Sequence, residues 1–239
     1  MYAIALLAVV CAFLAVLAGP TNAQQVCETC QQLGPQQTPF GYGDMGARWD
    51  HSPGQGLKLP VCWENPEAET EAQRSAVIDA VRSTWMSAAA IEFTGWSPCA
   101  DGNQGVRVRI ADEGARAKDL GKRLNAVPNG VVLNFKFAAS QPDPWCAQSD
   151  ANRLNCIKVV AVHEFGHVLG LAHEQNRRDT PRDECLEPRQ GPDGTRHLTP
   201  WDSRSIMNYC DPRYRDAEGG WRLSDGDKRS IVLMYGARL

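Results

Sequence analysis

The stretch that decides the fold is "HEFGHVLGLAHE", which runs from His163 to Glu174. It holds three of the chain's five histidines, and Glu164 directly follows the first of them. Apolar residues recur at helical spacing before and within this stretch, which predicts an α-helix over residues 154–170. The scarce histidines are therefore concentrated on one helix and on the segment that follows it.

The spacing of the three histidines is typical of a metal site. His163 and His167 lie four residues apart on one face of the predicted helix, and H-E-x-x-H on a helix is a zinc signature. Gly170 allows the left-handed turn that ends a helix, so that His173 can approach the same ion. We therefore expect one catalytic zinc ion held by three histidines, with a fourth position left for water.

Two other interpretations of the histidines remain. One is a closed structural zinc site, which would need a fourth protein ligand and would leave Glu164 without a role. The other is a helix that carries surface histidines. The number of separate motif requirements that the stretch meets favours the catalytic site.

The complete string "HEFGHVLGLAH" resembles the signature of the metzincin metallopeptidases, H-E-x-x-H-x-x-G-x-x-H followed by a Met-turn. Met207 in "TPWDSRSIMNYC" is the Met-turn candidate. Among metzincins the astacins are the most similar, because "HEQNRRD" resembles their H-E-Q-x-R-x-D and "TPWDSRSIMNY" their T-P-Y-D-x-x-S-x-M-H-Y. Trp201 and Asn208 depart from that astacin pattern, so a matrixin-like relative fits as well.

This resemblance implies a fold and a set of roles. The fold is the α/β (α+β) metzincin zinc-protease fold, a mixed twisted sheet with a long backing helix, an active-site helix and a C-terminal helix. Glu164 would be the general base, and Met207 an apolar floor beneath the metal. Tyr209 would ligate zinc or stabilise the oxyanion, the alternative being a structural turn residue. Glu174 would make buried polar contacts, either with the mature N-terminus or as the anchor of a loop.

Local patterns predict the remaining elements of a mixed α/β domain. Residues 57–64, 105–112 and 129–137 have the pattern of strands, and a capping box at Ser224 opens a terminal helix. A long helix presents one apolar face, consisting of Val77, Ile78, Val81, Trp85, Ala88 and Ala89. We expect the catalytic domain to span residues 57–239.

The N-terminal part of the chain differs in composition. Residues 1–23 carry no charged side chain and end in "TNA", which predicts a secretory signal peptide, the alternative being an uncleaved membrane anchor. Residues 24–56 are rich in Gln, Gly and Pro and are interpreted as a linker or short propeptide. In that segment, Asp44 of "FGYGD" imperfectly matches an astacin propeptide aspartate that blocks zinc, and Cys27 or Cys30 would be an alternative zinc-blocking ligand.

Cysteine content and charge indicate where the chain acts and on what. The nine cysteines include one in the signal segment, so an even number is left for disulfides in an exported protein. A net charge of -3 predicts no binding to nucleic acid and, once the signal is removed, none to membranes. We expect a monomeric, secreted zinc endopeptidase acting on proteins or peptides. The alternative is a catalytically silent exported module that uses the metzincin fold for binding, and the intact Glu164 favours the enzyme.

Overall fold

The computed structural model describes residues 41–52, 54–138, 144–210 and 220–238, all within one compact unit. The predicted signal peptide at residues 1–23 lies outside the described residues, as do Cys27 and Cys30. Those assignments stay predictions. Within the described ranges, none of the helices combines the length and the apolar character that crossing a membrane requires.

A five-stranded mixed sheet forms one layer of the domain. Its strands are β2 (Leu57–Trp63), β3 (Ile91–Pro98), β4 (Val106–Ile110), β5 (Arg116–Ala117) and β6 (Val131–Leu133). The spatial order is β3-β2-β4-β6-β5, in which β5 is an antiparallel edge strand on an otherwise parallel sheet. The mixed sheet with its helices confirms the predicted fold class.

Strand β4 lies in the middle of the sheet, and its side chains alternate between buried and more exposed positions. Val106 and Val108 are completely buried, whereas Arg107 between them points to the other face. There the guanidinium of Arg107 donates two hydrogen bonds of 2.9 Å to the carboxylate of Glu64. The basic residue is therefore paired within the sheet layer and does not form a free binding edge.

The strand predicted at residues 129–137 is much shorter in the structure. It ends at Leu133, because the Asn134 side chain accepts hydrogen bonds from the backbone N–H groups of Lys136 and Phe137. Phe137 also has a left-handed backbone, with φ of 54°. This local turn competes with strand pairing and takes the chain away from the sheet.

The backing helix is broken where the apolar pattern predicted continuity. Helix α1 (Glu71–Ser83) ends before Thr84, whose φ of -111° and ψ of -93° are not helical, and α2 (Trp85–Ala88) follows. Trp85 is fully buried, and its indole N–H donates to the carbonyl of Val162 at 2.8 Å. The break therefore places a tryptophan against the backbone directly before His163.

Two further helices complete the layer that holds the histidines. After the single turn α3 (Pro144–Ala147), helix α4 (Asp150–Val168) begins behind a Ser149 cap and contains the first two histidines. Helix α5 (Asp225–Tyr235) has the capping box predicted at Ser224. The predicted apolar side of α5 is buried, and it consists of Ile231, Met234 and Tyr235.

The segment before β2 is packed into the domain. Strand β1 (Gly41–Gly43) pairs antiparallel with β7 (Arg196–Leu198), and the indole N–H of Trp49 donates to the carbonyl of Val168 at 2.7 Å. The described part of the segment assigned to a linker or short propeptide thus contacts the end of α4. Its removal during maturation stays a prediction.

Disulfides cross-link separate segments of the domain. Among the described residues the pairs are Cys62–Cys99, Cys146–Cys156 and Cys185–Cys210. The second pair links α3 to α4, and the third links the irregular segment after the histidines to the residue that follows Tyr209. These bonds confirm the expectation of a disulfide-bonded chain.

Candidate metal centre

The three histidines of the opening stretch meet at one point. His163 and His167 project from α4, and the helix ends in a left-handed turn at Gly170, with φ of 94°. This turn brings back His173, whose Nε2 lies 3.1 Å from Nε2 of His163 and 3.0 Å from Nε2 of His167. The three side chains therefore form one cluster, and all three are buried.

The outer nitrogen of each imidazole is held by a backbone carbonyl. The Nδ1 atoms of His163, His167 and His173 lie 2.7 to 2.8 Å from carbonyl oxygens, which belong to Ile206, Leu171 and Gln190 respectively. A carbonyl only accepts, so each Nδ1 carries the hydrogen and each neutral ring directs its Nε2 lone pair inward.

This donor set fits a zinc ion. The Nε2 lone pair of His173 lies about 3 Å from each of the other two, and such lone pairs repel one another unless a cation lies among them. Nitrogens bound tetrahedrally at about 2.0–2.1 Å from zinc would be roughly 3.3 Å apart, close to the separations found. Backbone hydrogen bonds of this kind to metal-binding histidines also fix ring orientation.

Burial keeps the cluster in the protonation state that a metal requires. It lowers the pKa of His163 to about 3, with His173 adding to the effect, and it also lowers the pKa values of His167 and His173. Imidazoles must be neutral to coordinate a metal. The three rings are therefore ready to act as ligands at neutral pH.

Glu164 lies beside the cluster with one oxygen unused. Its side chain is buried, and among the described residues its Oε2 has no hydrogen-bond partner. Burial raises the pKa of Glu164 to about 8, against the opposing effects of the Ala117 backbone N–H and the charge of Arg116. A dication at the three Nε2 atoms would favour the carboxylate form. Glu164 then offers an acceptor beside the metal position.

Met207 packs beneath α4 as a Met-turn residue would. It is buried, and a Cβ built on Gly166 would lie only 2.3 Å from its sulfur, so the helix can approach only with glycine at that position. The carboxylate of Asp227 fixes this turn, since it accepts hydrogen bonds from the Ser205 hydroxyl and the Ile206 backbone N–H. The carbonyl that orients His163 therefore belongs to a braced segment.

Tyr209 covers the cluster from the solvent side. Its ring stacks on that of His163, with centroids 5.0 Å apart and planes 16° apart, and it also contacts the ring of His173. Burial raises the pKa of its phenol, and the negative charge of Glu164 raises it further. Tyr209 is therefore a neutral hydrogen-bond donor, and 40% of the residue remains exposed.

Glu174 takes no part in the histidine cluster. Its Oε1 accepts hydrogen bonds of 3.0 Å from the guanidinium of Arg177 and from the backbone N–H of Asp202. Both charged side chains of this ion pair are buried. These contacts fit the alternative in which Glu174 anchors a loop.

Asp44 is also held away from the histidines. Its carboxylate accepts hydrogen bonds from Arg123, from the Gly46 backbone and from Thr195, at 2.8 to 3.0 Å. Burial would raise its pKa, but these hydrogen bonds outweigh that effect and lower it. The aspartate suggested as a zinc block is thus an anchor of the segment before β2. The two other histidines, His51 and His197, lie outside the cluster.

Sequence reasoning missed three residues that support the cluster. Gln175 and Asn176 follow the third histidine and are completely buried, and Asp227 joins α5 to the Met-turn. Of these three, only Asp227 belonged to a recognisable sequence pattern, the capping box at Ser224. That pattern predicts the start of a helix and says nothing of the contact with the Met-turn.

Three features define a metzincin-type zinc peptidase. They are a mixed sheet with an antiparallel edge strand, a cluster of three histidines at a helix that ends in glycine, and a methionine turn beneath that cluster. The family model of the matrixin peptidases (Peptidase M10) matches residues 48–180, which is more than half of the chain. The chain belongs to this family.

One curated relative is similar in sequence, and solved structures are similar in fold. Zinc metalloproteinase nas-20 of Caenorhabditis elegans is 33% identical over 99 residues, and the match spans 34% of this chain and only 26% of that relative. The fold is similar to that of myroilysin, with a TM-score of 0.54 and 18% identity over 83% of this chain and 100% of that one. It is also similar to high choriolytic enzyme 1, a hatching enzyme zinc-protease from the medaka fish Oryzias latipes. That match has a TM-score of 0.51 and 15% identity over 81% of this chain and 96% of that one.

The fit between Gly166 and Met207 predicts an unusual response to substitution. Gly166→Ala should lower the free energy of unfolding by about 1–3 kcal/mol, because the new methyl group overpacks against the methionine sulfur. In an ordinary helix the same change stabilises. Urea unfolding with the disulfides intact measures the effect.

Gly114→Ala is the matched control, since an added Cβ there meets nothing within 4 Å. Its free energy of unfolding should stay within about 0.5 kcal/mol of the wild-type value. Equal stability of the two variants would contradict the close packing of the Met-turn against the helix.

Proposed function

We propose that the protein is a secreted zinc endopeptidase that hydrolyses peptide bonds with Glu164 as general base. The observation that carries the proposal is the meeting of three neutral Nε2 atoms beside a buried carboxylate with an unused oxygen. A closed structural site would have no use for such a carboxylate. The family assignment and the relatives named as zinc proteases support the same class.

The residues divide the chemistry among them. Zinc bound by His163, His167 and His173 would polarise the scissile carbonyl and lower the pKa of its water to about 7. Glu164 accepts a proton from the attacking water at its carboxylate and then delivers it to the leaving amine. Met207 keeps the floor of the site apolar and closed to water.

Tyr209 is the proposed oxyanion donor. Its ring lies against His163 and His173, and its phenol remains protonated, as a donor to developing negative charge must be. Its place two residues after Met207 supports an astacin-like arrangement within the metzincins. The phenol would either ligate zinc in the resting enzyme or donate directly to the oxyanion.

The edge of the sheet provides a place for a substrate. Among the described residues, strand β5 (Arg116–Ala117) pairs only with β6, and its Ala117 backbone N–H reaches the Glu164 carboxylate. An extended peptide that added to this edge would run past the general base. This arrangement supports protein or peptide substrates.

Secretion rests on the N-terminal apolar segment and on the disulfides. The three disulfides among the described residues are typical of a protein that matures in an oxidising compartment. The silent binding module is the second candidate function, and it would retain the fold and the metal without turnover.

Replacing Glu164 distinguishes the two functions. Glu164→Gln should keep zinc but lower kcat/KM for casein or a peptide substrate by about 10²–10⁴-fold, because the amide cannot accept the proton. A zinc chelator should abolish hydrolysis by the wild-type protein. Substrate cleavage and zinc content are measured on the same purified samples.

Glu92→Gln is the matched control, since Glu92 is an exposed residue whose carboxylate forms a salt bridge with Lys58. It should retain wild-type activity. A wild-type protein that bound one zinc ion and cleaved neither casein nor a peptide library would contradict the enzyme and favour the binding module.

Tyr209→Phe tests the proposed oxyanion donor. It should lower kcat by about 10²–10³-fold while zinc affinity changes far less, because the lost hydrogen bond forms mainly in the transition state. Steady-state kinetics and a zinc-competition titration provide the two values. An unchanged kcat would make Tyr209 a structural residue of the turn.

A further inference from the structure

A single 3-10 turn, Glu174–Asn176, follows the third histidine, and all three of its side chains are polar and buried. Glu174 binds Arg177, and the Gln175 side chain accepts a hydrogen bond from the Tyr209 backbone N–H. Asn176 is completely buried and has no role in the proposed chemistry. Its contacts lead back to the histidine cluster.

The three carbonyls that orient the histidines differ in their surroundings. Leu171 and Ile206 are buried residues in segments braced by β1 and by Asp227. Gln190, which accepts from His173, lies in the fully exposed run 186–191. The third ligand therefore depends on a carbonyl in an exposed segment outside the helices and strands.

Asn176 holds that carbonyl. Its Nδ2 donates to the carbonyl oxygen of Gln190 at 2.8 Å, and its Oδ1 accepts from the backbone N–H of Gln190 at 3.0 Å. The same Nδ2 lies 3.0 Å from a carboxylate oxygen of Asp193. One buried amide thus binds both backbone groups of Gln190, and the carbonyl accepts hydrogen bonds from Asn176 and His173 together.

We propose that Asn176 is a positioning residue for the third metal ligand. By clamping Gln190 it fixes the direction of the carbonyl, which in turn fixes the His173 ring with its Nε2 toward His163 and His167. Only a carboxamide presents a donor and an acceptor side by side for such a clamp. The inference rests on the proposed zinc site and extends it to a residue outside the ligand set.

Metal affinity separates this role from a purely structural one. Zinc dissociation constants of the purified full chain are measured by competition with a chromophoric chelator, beside the thermal unfolding midpoint of the zinc-free protein. Asn176→Ala should bind zinc about 10–100-fold more weakly, as expected for loss of a group that orients a ligand. The thermal unfolding midpoint of the zinc-free variant should change only slightly, although its zinc affinity falls.

Two further variants sharpen the comparison. Asn176→Asp keeps the shape of the side chain but places a carboxylate oxygen against the Gln190 carbonyl and Asp193, so it should weaken zinc at least as much. Asp193→Ala is the matched control, because it removes one partner of Asn176 and an exposed ion pair with Arg189 but leaves both hydrogen bonds between Asn176 and Gln190 in place. Its zinc affinity should stay close to the wild-type value.

Nuclear magnetic resonance of zinc-loaded protein labelled with ¹⁵N-histidine gives a site-specific readout. In Asn176→Ala the Nδ1–H of His173 should exchange faster with solvent, whereas those of His163 and His167 should keep their wild-type rates. Uniform changes at all three histidines would indicate a general loosening of the fold and would overturn the proposal.

The remaining outcomes are equally decisive. Folded Asn176→Ala with wild-type zinc affinity would overturn the positioning role while leaving the zinc peptidase intact. Failure of both Asn176 variants to fold would make the residue part of the fold only. A wild-type protein that bound no zinc, or a His163→Ala variant that bound it equally well, would instead contradict the proposed function itself.

Discussion

The structure depends on three neutral imidazoles that point their lone pairs at one position. Each ring must lose its hydration on burial, and each Nδ1–H must then find an acceptor inside the protein. The acceptors come from three separate segments, at Leu171, Ile206 and Gln190. Much of the fold around α4 can be understood as the means of holding these carbonyls where the rings need them.

The supports of the three carbonyls connect the cluster to distant elements. Leu171 bridges to Gly43, so the segment before β2 reaches the site. Asp227 accepts a hydrogen bond from the backbone N–H of Ile206 with the same carboxylate that completes the capping box of α5. Asn176 holds Gln190, which no strand or helix supports. The terminal helix and the first short strand therefore belong to the architecture of the metal centre.

What the sequence could predict was local. The spacing of His163 and His167, the turn at Gly170 and the capping box at Ser224 follow from rules that span a few residues, and all three are present. The break at Thr84 was not predictable, because it depends on the fit of Trp85 against α4. Nor were the contacts of Gln190 and the Cys185–Cys210 disulfide, because they join segments whose proximity depends on the tertiary fold.

X-ray absorption at the zinc edge of the purified protein, with metal content measured on the same sample, tests the central claim most directly. We expect one zinc ion per chain with three imidazole nitrogens and one oxygen at about 2.0–2.1 Å. Zinc–sulfur scattering at about 2.3 Å would identify a cysteine ligand and contradict the three-histidine centre. A zinc signal that was unchanged after replacement of His173 would also contradict the three-histidine centre.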